Sequence, residues 1–173
     1  MKIERLVVGS FQENCYILKI DNECLIIDPG ADFSLIDEKI KDYQLLGILI
    51  THHHFDHIGA LNGLKEKYNA SVYEFPNIKE DLYVVGPFKF KVIYTPGHTS
   101  DSVTYYFEQE KIMFTGDFLF HGDVGRCDLP TGNFNIMKES IAKIKNYNND
   151  IIIYPGHEEE TILGNEKLNN PYF

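Results

Sequence analysis

Imidazole and carboxylate side chains are crowded into one short stretch of this chain. Four of its seven histidines lie between residues 52 and 57 in the run His52-His53-His54-Phe55-Asp56-His57. His52 and His54 are two positions apart, so they point the same way only in extended or looped backbone, unlike the i, i+4 pair of a zinc-binding helix. Converging nitrogen and oxygen donors in a tight loop predict a divalent-cation site. The alternative, a solvated polar loop, does not explain the carboxylate or the apolar run LLGILI just before it.

Three further donors follow apolar or aromatic runs in the same way. His98 comes after KVIYTPG, Asp117 after KIMFTG, and His157 after IIIYPG. Each residue taken alone is more often a surface residue than a ligand. If the strands before them and LLGILI share a sheet edge, however, all four loops converge on one place, where α/β proteins usually carry their chemistry. An aspartate can bridge two cations with its two oxygens, which makes Asp117 the natural shared ligand.

The elements that must position these residues are a mixture of strands and helices. Short β-branched runs separated by turn-forming residues predict strands over most of the first 30 residues. Helices are predicted over Phe33–Tyr43, capped by Asp32, and over about His57–Tyr68. A loop over Phe118–Asn133, a helix over Asn135–Tyr147 and a short tail follow. The pattern is that of an α/β or α+β protein, and the length fits one domain over residues 1–173.

Composition narrows the partners that we expect. Lys plus Arg number 16 against 26 for Asp plus Glu, a net charge of -10, so binding to nucleic acid is disfavoured. We find no signal peptide at the N-terminus and no apolar run long enough for a bilayer, so no membrane association is expected. Three cysteines without CxxC spacing suit reduced thiols. The expected location is the cytoplasm, and the oligomeric state is left open.

The whole set of motifs resembles the metallo-β-lactamase superfamily, in particular its glyoxalase II-like hydrolases. The resemblance rests on HHHFDH, on His98 in TPGHTSDSVTYYF, on Asp117 in FTGD and on His157 in YPGH, and it starts at the Asp28-Pro29-Gly30 turn. It implies an α/β fold in which two mixed β-sheets flanked by helices form an αββα sandwich, with metals at one edge between the sheets.

The resemblance also implies a ligand set for two divalent ions. His52, His54 and His98 would hold the first ion, and Asp117 would bridge. The second ion would be held by Asp56, His57 and His157. His53 fills a variable position of the motif and is not expected to be a ligand. Zinc is the first choice for such donors, and iron and manganese accept similar ones.

The activity implied is hydrolysis of a small thioester or ester, as in hydroxyacylglutathione hydrolases, with Asp56 orienting the nucleophile and passing a proton to the leaving group. The sequence ends soon after His157, without the helical domain that helps glyoxalase II hold glutathione, so we do not expect specificity for a lactoyl-glutathione thioester. His57 in place of Arg argues against the commonest class B β-lactamases. His54 in place of Glu argues against the flavodiiron branch.

Other functions remain open at this point. One is a persulfide dioxygenase of the same fold, which would keep His52, His98 and Asp117 around a single iron and shares the GRxD loop. A non-catalytic metal-binding domain is another, although the complete ligand set weighs against it. A nuclease is disfavoured by the charge.

Several residues near the motifs have two interpretations each. Arg126 and Asp128 are expected to pair within their loop rather than to contact substrate. Cys127 is expected to be a loop thiol rather than a ligand, and His121 a surface residue rather than part of the pocket mouth. Asp28 is expected to support the histidines from behind.

Overall fold

The chain folds around two mixed β-sheets; the computed structural model describes residues 1–173. Five strands form the first sheet, in the spatial order of the chain: β1 (Lys2–Val8), β2 (Glu13–Ile20), β3 (Glu23–Ile27), β4 (Gln44–Leu49) and β5 (Ser71–Tyr73). The first three are antiparallel, and β4 and β5 continue parallel to β3.

The second sheet has six strands: β6 (Leu82–Val85), β7 (Phe88–Tyr94), β8 (Val103–Phe107), β9 (Ile112–Gly116), β12 (Ile152–Pro155) and β13 (Thr161–Ile162). Their spatial order is β13-β12-β9-β8-β7-β6, with one parallel pair, β9 and β12. A separate two-stranded hairpin is formed by β10 (Leu119–Phe120) and β11 (Asp123–Val124).

Helices cover the outer faces of both sheets. The first sheet is covered by α1 (Phe33–Ile40) and α3 (Leu61–Tyr68), with the short α2 (Phe55–Ile58) before α3. The second sheet is covered by α4 (Phe134–Ile144) and α5 (Leu163–Asn169). The Asn133 side chain caps α4 by accepting hydrogen bonds from the backbone of Asn135 and Ile136. The predicted αββα sandwich is confirmed.

Alternation along the inner strands divides the apolar side chains between three layers. In β3, Cys24 and Ile26 pack against the helices of the first sheet, whereas Leu25 and Ile27 face the second sheet. Residues of opposite parity point to opposite faces of a strand, so a sheet covered on both sides needs an unbroken apolar run. The third layer, between the second sheet and its helices, includes Met113.

The structure corrects four local expectations. Asp32 does not cap α1 with its side chain; it adopts a left-handed backbone, and its carboxylate accepts a hydrogen bond from Gly9 N at 2.8 Å. The helix predicted over His57–Tyr68 is interrupted between α2 and α3. The predicted loop over Phe118–Asn133 contains the β10–β11 hairpin, and the tail carries β13 and α5. No helix has both the length and the apolarity needed to cross a membrane.

Candidate metal centre

The seven predicted ligands lie after four strands that come from two sheets rather than from one sheet edge. The HHHFDH run follows β4 of the first sheet: His52 and His54 lie in the loop after that strand, and Asp56 and His57 lie in helix α2. His98, Asp117 and His157 follow β7, β9 and β12 of the second sheet. Because these three strands run in the same direction, their loops emerge at one end of that sheet, opposite the loop from β4. The site therefore lies where the ends of the two sheets meet.

Three imidazoles and one carboxylate converge in the first half of the site. His54 Nδ1 lies 3.2 Å from His52 Nε2 and 2.9 Å from His98 Nε2. The Oδ2 atom of Asp117 lies 3.5 Å from His98 Nε2 and 4.0 Å from His52 Nε2. These four donor atoms all lie within 4.8 Å of one another.

The second half of the site has two imidazoles and two carboxylates. His57 Nε2 lies 3.3 Å from Asp117 Oδ1, and His157 Nε2 lies 3.6 Å from the same oxygen. Asp56 Oδ2 completes the group at 3.4 Å from His157 Nε2. Asp117 thus turns one oxygen toward each half, which is the placement that a shared ligand requires.

The arrangement of the donor atoms suits binding to divalent cations better than hydrogen bonding to one another. His57 Nε2 and Asp117 Oδ1 are buried and have no hydrogen-bond partner, although they lie 3.3 Å apart. Leaving buried polar atoms unpaired is costly unless something else satisfies them. Imidazole nitrogens and carboxylate oxygens are the ligands that divalent zinc, iron and manganese accept. The cluster is therefore suited to binding divalent metal.

Hydrogen bonds behind the site decide which ring nitrogen each histidine presents. His98 Nδ1 donates to the backbone oxygen of Arg126 at 2.8 Å, and His57 Nδ1 donates to Asp28 Oδ2 at 3.0 Å. His52 Nδ1 lies 3.1 Å from Thr51 Oγ1. In the neutral imidazole, each of these contacts places the proton on Nδ1 and leaves the lone pair of Nε2 facing the site, as a metal ligand requires.

Asp28 links two of these contacts. Its carboxylate is buried and accepts hydrogen bonds from the Thr51 backbone N at 2.7 Å, from the Thr51 hydroxyl and from His57. Its backbone is left-handed, with φ of 46°, a conformation that aspartate adopts more readily than most residues. Asp28 therefore supports His57 directly and His52 through Thr51.

The electrostatics of the protein alone are dominated by burial and by close charge pairs. Burial lowers the pKa of His52 well below its usual range. For His57 burial also lowers the pKa, but the neighbouring carboxylates of Asp117 and Asp28 outweigh it and raise the pKa. Burial raises the pKa of Asp117, yet the adjacent His57 more than offsets this and lowers it. Asp117 is accordingly an ionised carboxylate.

Two glycines allow the backbone to approach the donors closely. A Cβ on Gly156 would lie 2.5 Å from Asp117 Oδ1 and 2.6 Å from His57 Cε1. A Cβ on Gly30 would lie 1.7 Å from the backbone oxygen of Asp56. All three distances are shorter than Cβ contacts in folded proteins, so a side chain at either glycine would displace the donors or the backbone beside them.

Sequence reasoning missed the residues that hold the His157 loop. The Asn14 side chain donates to the backbone oxygens of Pro155 at 3.1 Å and Glu158 at 2.9 Å, and the Tyr16 hydroxyl donates to Pro155 O at 2.7 Å. The available signal was the presence of polar residues, Glu13 and Asn14, at the start of an otherwise apolar strand, because polar side chains are costly to bury without partners. Glu13 was also missed: it is buried, with Oε1 3.8 Å from His57 Nδ1, and burial raises its pKa.

The other candidate residues lie outside the donor cluster. His53 turns away from it and contacts the carboxylates of Asp101 and Glu74. Arg126 forms a bidentate pair with Asp128 at 2.7 and 2.8 Å.

The two remaining residues of that loop do not join the donors either. Cys127 Sγ contacts the backbone oxygen of Gly125 at 3.3 Å. His121 is exposed and lies outside the pocket over the donors.

A pocket of about 630 Å³ opens over the donors. Five of the seven candidate ligands reach its wall; only His52 and His57 lie behind it. The remaining lining is a mixture of aromatic, aliphatic and charged residues: Phe11, Phe55, Phe120, Asp123, Val124, Gly125, Arg126, Leu129, Glu158 and Tyr172. A small molecule can therefore reach the donor atoms from solvent.

Comparison with known proteins places this architecture in a family. The family model described as the metallo-beta-lactamase superfamily matches residues 8–82 and 74–157. The chain belongs to the metallo-beta-lactamase superfamily, as its motifs predicted.

Two relatives are similar over almost their whole length. A probable metallo-hydrolase, YqgX of Bacillus subtilis, is 35% identical over 205 residues, covering 99% of this chain and 97% of that protein. The hydroxyacylglutathione hydrolase GloC of Haemophilus influenzae is 31% identical over 207 residues, covering 99% and 98%.

Solved structures are similar at the level of the whole fold. The BLEG-1 B3 metallo-beta-lactamase superposes with a TM-score of 0.94 at 30% identity, covering 99% of each chain. ETHE1 from Myxococcus xanthus has a TM-score of 0.89 at 28% identity, covering 99% of this chain and 84% of that one. TTHA1623 in a di-iron-bound form has a TM-score of 0.89 at 28% identity, covering 98% and 100%.

Proposed function

We propose that this protein is a metal-dependent hydrolase that cleaves small thioesters or esters with two divalent ions, zinc being the first choice. One observation carries the proposal: the two oxygens of Asp117 face two adjoining groups of donor atoms, beneath a pocket open to solvent. The similarity to a probable metallo-hydrolase and to a hydroxyacylglutathione hydrolase supports it. The similarity to a di-iron protein keeps iron open as the metal.

The ligand assignment forms part of the proposal. His52, His54 and His98 would hold one ion, Asp56, His57 and His157 would hold the other, and Asp117 would be shared between them. Two ions in these positions would polarise a carbonyl oxygen and lower the pKa of water to about 7, so that hydroxide would be available near neutral pH.

Side chains of the protein carry out the proton transfers and keep the ligands oriented. Asp56 lies at the pocket wall, 3.4 Å from His157 Nε2, where its carboxylate can accept a proton from the attacking water. The same carboxylate then returns the proton to the departing thiolate or alkoxide, so that one water is consumed and an acid and a thiol or alcohol leave. Asp28 and Thr51 keep the histidine rings oriented throughout.

Asp56→Asn and His54→Ala test this function. We expect each variant to lose thioester and ester hydrolysis by at least about 100-fold, Asp56→Asn because it removes the acid–base group and His54→Ala because it removes a ligand of the first ion. The circular dichroism spectrum should be unchanged. Asp42→Asn and His121→Ala are matched controls, because both side chains are exposed and lie outside the pocket. A well-folded Asp56→Asn or His54→Ala protein with wild-type rates would refute the mechanism.

A second candidate is a persulfide dioxygenase with one iron held by His52, His98 and Asp117, suggested by the similarity to ETHE1. About one iron per chain, with oxygen consumed on glutathione persulfide, would favour it over the hydrolase. A metal-loaded protein inert toward ester, thioester, lactam and phosphodiester substrates would favour a non-catalytic metal-binding domain instead.

A further inference from the structure

The mouth of the pocket is built from aromatic rings that are unusually exposed for their size. Phe11 and Phe55 are 59% and 67% exposed and meet edge to face, with ring centroids 5.1 Å apart. Tyr172, 41% exposed, and Phe120 add two further rings to the lining. Exposed rings gathered at one pocket offer a surface on which an apolar group loses water on binding.

The charged groups of the same mouth do not favour an anion. Apart from the candidate ligands, the charged lining residues are Asp123, Glu158 and Arg126, and no lysine is among them. Arg126 is the one basic residue, and its guanidinium already forms the bidentate pair with Asp128. The Glu158 carboxylate is exposed and forms no hydrogen bond or ion pair, so its negative charge is free to repel an anionic group that enters the pocket.

We propose that the preferred substrates are thioesters or esters whose leaving group is apolar, best aromatic, and carries no negative charge. The leaving group would lie against Phe11 and Phe55, while the acyl carbonyl reaches the donor cluster. A carrier with free carboxylates, such as glutathione, would meet the carboxylates of Glu158 and Asp123, and the one basic residue of the mouth, Arg126, is already shared with Asp128. This inference rests on the proposed hydrolase function.

Three acetyl thioesters of alkyl thiols test the inference, because their acyl group is identical and their leaving-group reactivity is similar. The thiols are benzyl mercaptan, N-acetylcysteamine and glutathione, which are respectively aromatic and neutral, small and neutral, and anionic. We expect kcat/KM to fall in that order, with the benzyl thioester at least about tenfold above the glutathione thioester.

Two kinds of variant separate the role of the rings from that of the charge. Phe55→Ala should lower kcat/KM for the benzyl thioester at least about threefold more than it lowers kcat/KM for the N-acetylcysteamine thioester, whereas Val84→Ala, exposed on β6, should leave the ratio of the two unchanged. Glu158→Lys should raise kcat/KM for the glutathione thioester at least threefold. The same change at Glu160, exposed and outside this pocket, should have no such effect.

The outcomes distinguish the inference from the function beneath it. If the glutathione thioester is cleaved as fast as the benzyl thioester or faster, the inference is wrong while the hydrolase function stands. If Phe55→Ala and Glu158→Lys leave the order of substrates unaltered, the assignment to these residues is wrong. If none of the three thioesters is cleaved, the proposed thioesterase function fails as well.

Discussion

At the scale of single residues, the site depends on contacts behind the donors as much as on the donors. Each of His52, His57 and His98 has its Nδ1 atom committed to an oxygen of the protein, which leaves Nε2 for the cluster. A ring free to rotate or to change tautomer would present its lone pair only part of the time. Residues that never touch a metal are therefore expected to control metal affinity.

Asp28→Asn tests that dependence. Asparagine tolerates the left-handed backbone, so the turn should persist, but its amide cannot accept all the hydrogen bonds that the carboxylate accepts. We expect zinc affinity to fall about 10-fold to 100-fold, measured by competition with a chromophoric chelator. Asp32→Asn is the matched control, because Asp32 also has a left-handed backbone but its carboxylate accepts a hydrogen bond only from Gly9 N. Equal affinities in both variants and the wild type would contradict the role of Asp28.

The residue types and spacing were sufficient to predict which side chains come together, but not what surrounds them. Histidine and aspartate at the ends of apolar runs indicate a metal site because those side chains are costly to bury unless a partner satisfies them. Phe11 and Phe55 carried no comparable signal, since a phenylalanine beside a strand is ordinarily packed in the core. Their exposure depends on how the loop before β2 and helix α2 meet in three dimensions.

At the scale of the elements, an ion-pair cluster fastens helix α1 to the first sheet. Glu4 on β1 contacts both Lys19 on β2 and Lys39 on α1 at 2.9 Å, and the Lys19 side chain is only 8% exposed. Hydrogen bonds from Lys39 and Lys19 lower the pKa of Glu4 below its usual value. A carboxylate whose pKa is lower in the folded state stabilises that state at neutral pH and ceases to do so in acid.

Glu4→Gln should therefore destabilise the protein in a pH-dependent way. At about pH 7 we expect a loss of about 1–2 kcal/mol in the free energy of unfolding, measured with urea. The difference between variant and wild type should be complete above the unfolded-state pKa of about 4.3 and should shrink as the pH falls through the lower native pKa. Glu38→Gln, which removes an exposed pair with Lys41, should cost far less at every pH. A pH-independent difference would contradict this account.

Element boundaries were predicted well where periodicity was long and poorly where tertiary contacts decide. The helix predicted over Asn135–Tyr147 corresponds closely to α4, whose apolar face is repeated over three turns. The short β10–β11 hairpin has only two residues per strand, too few for a periodic signal. Asp32 was predicted to cap a helix, but its carboxylate instead accepts a hydrogen bond from the backbone N of Gly9, which is distant in the sequence and close in the fold.

At the scale of the whole molecule, two sheets are needed because no single sheet edge presents all the donors. The order of the loops along the chain could be read from the sequence, but the condition considered there, that all four strands share one sheet edge, is not met: β4 lies in one sheet and β7, β9 and β12 lie in the other. The thickness of the apolar layer between the sheets sets the distance between the loop after β4 and the loops after β7, β9 and β12. That layer is built from residues such as Phe90 and Phe114, which lie far from any motif. The packing of the core between the sheets therefore sets the distance between the donors of the first sheet and those of the second.

The central claim is that seven side chains hold two cations, and the metal content of the purified protein tests it most directly. The account predicts about two divalent ions per chain in the reconstituted wild type and about one in His157→Ala, since the first group of donors would stay complete. A wild-type protein that binds a single ion, with the same content in His157→Ala, would contradict it.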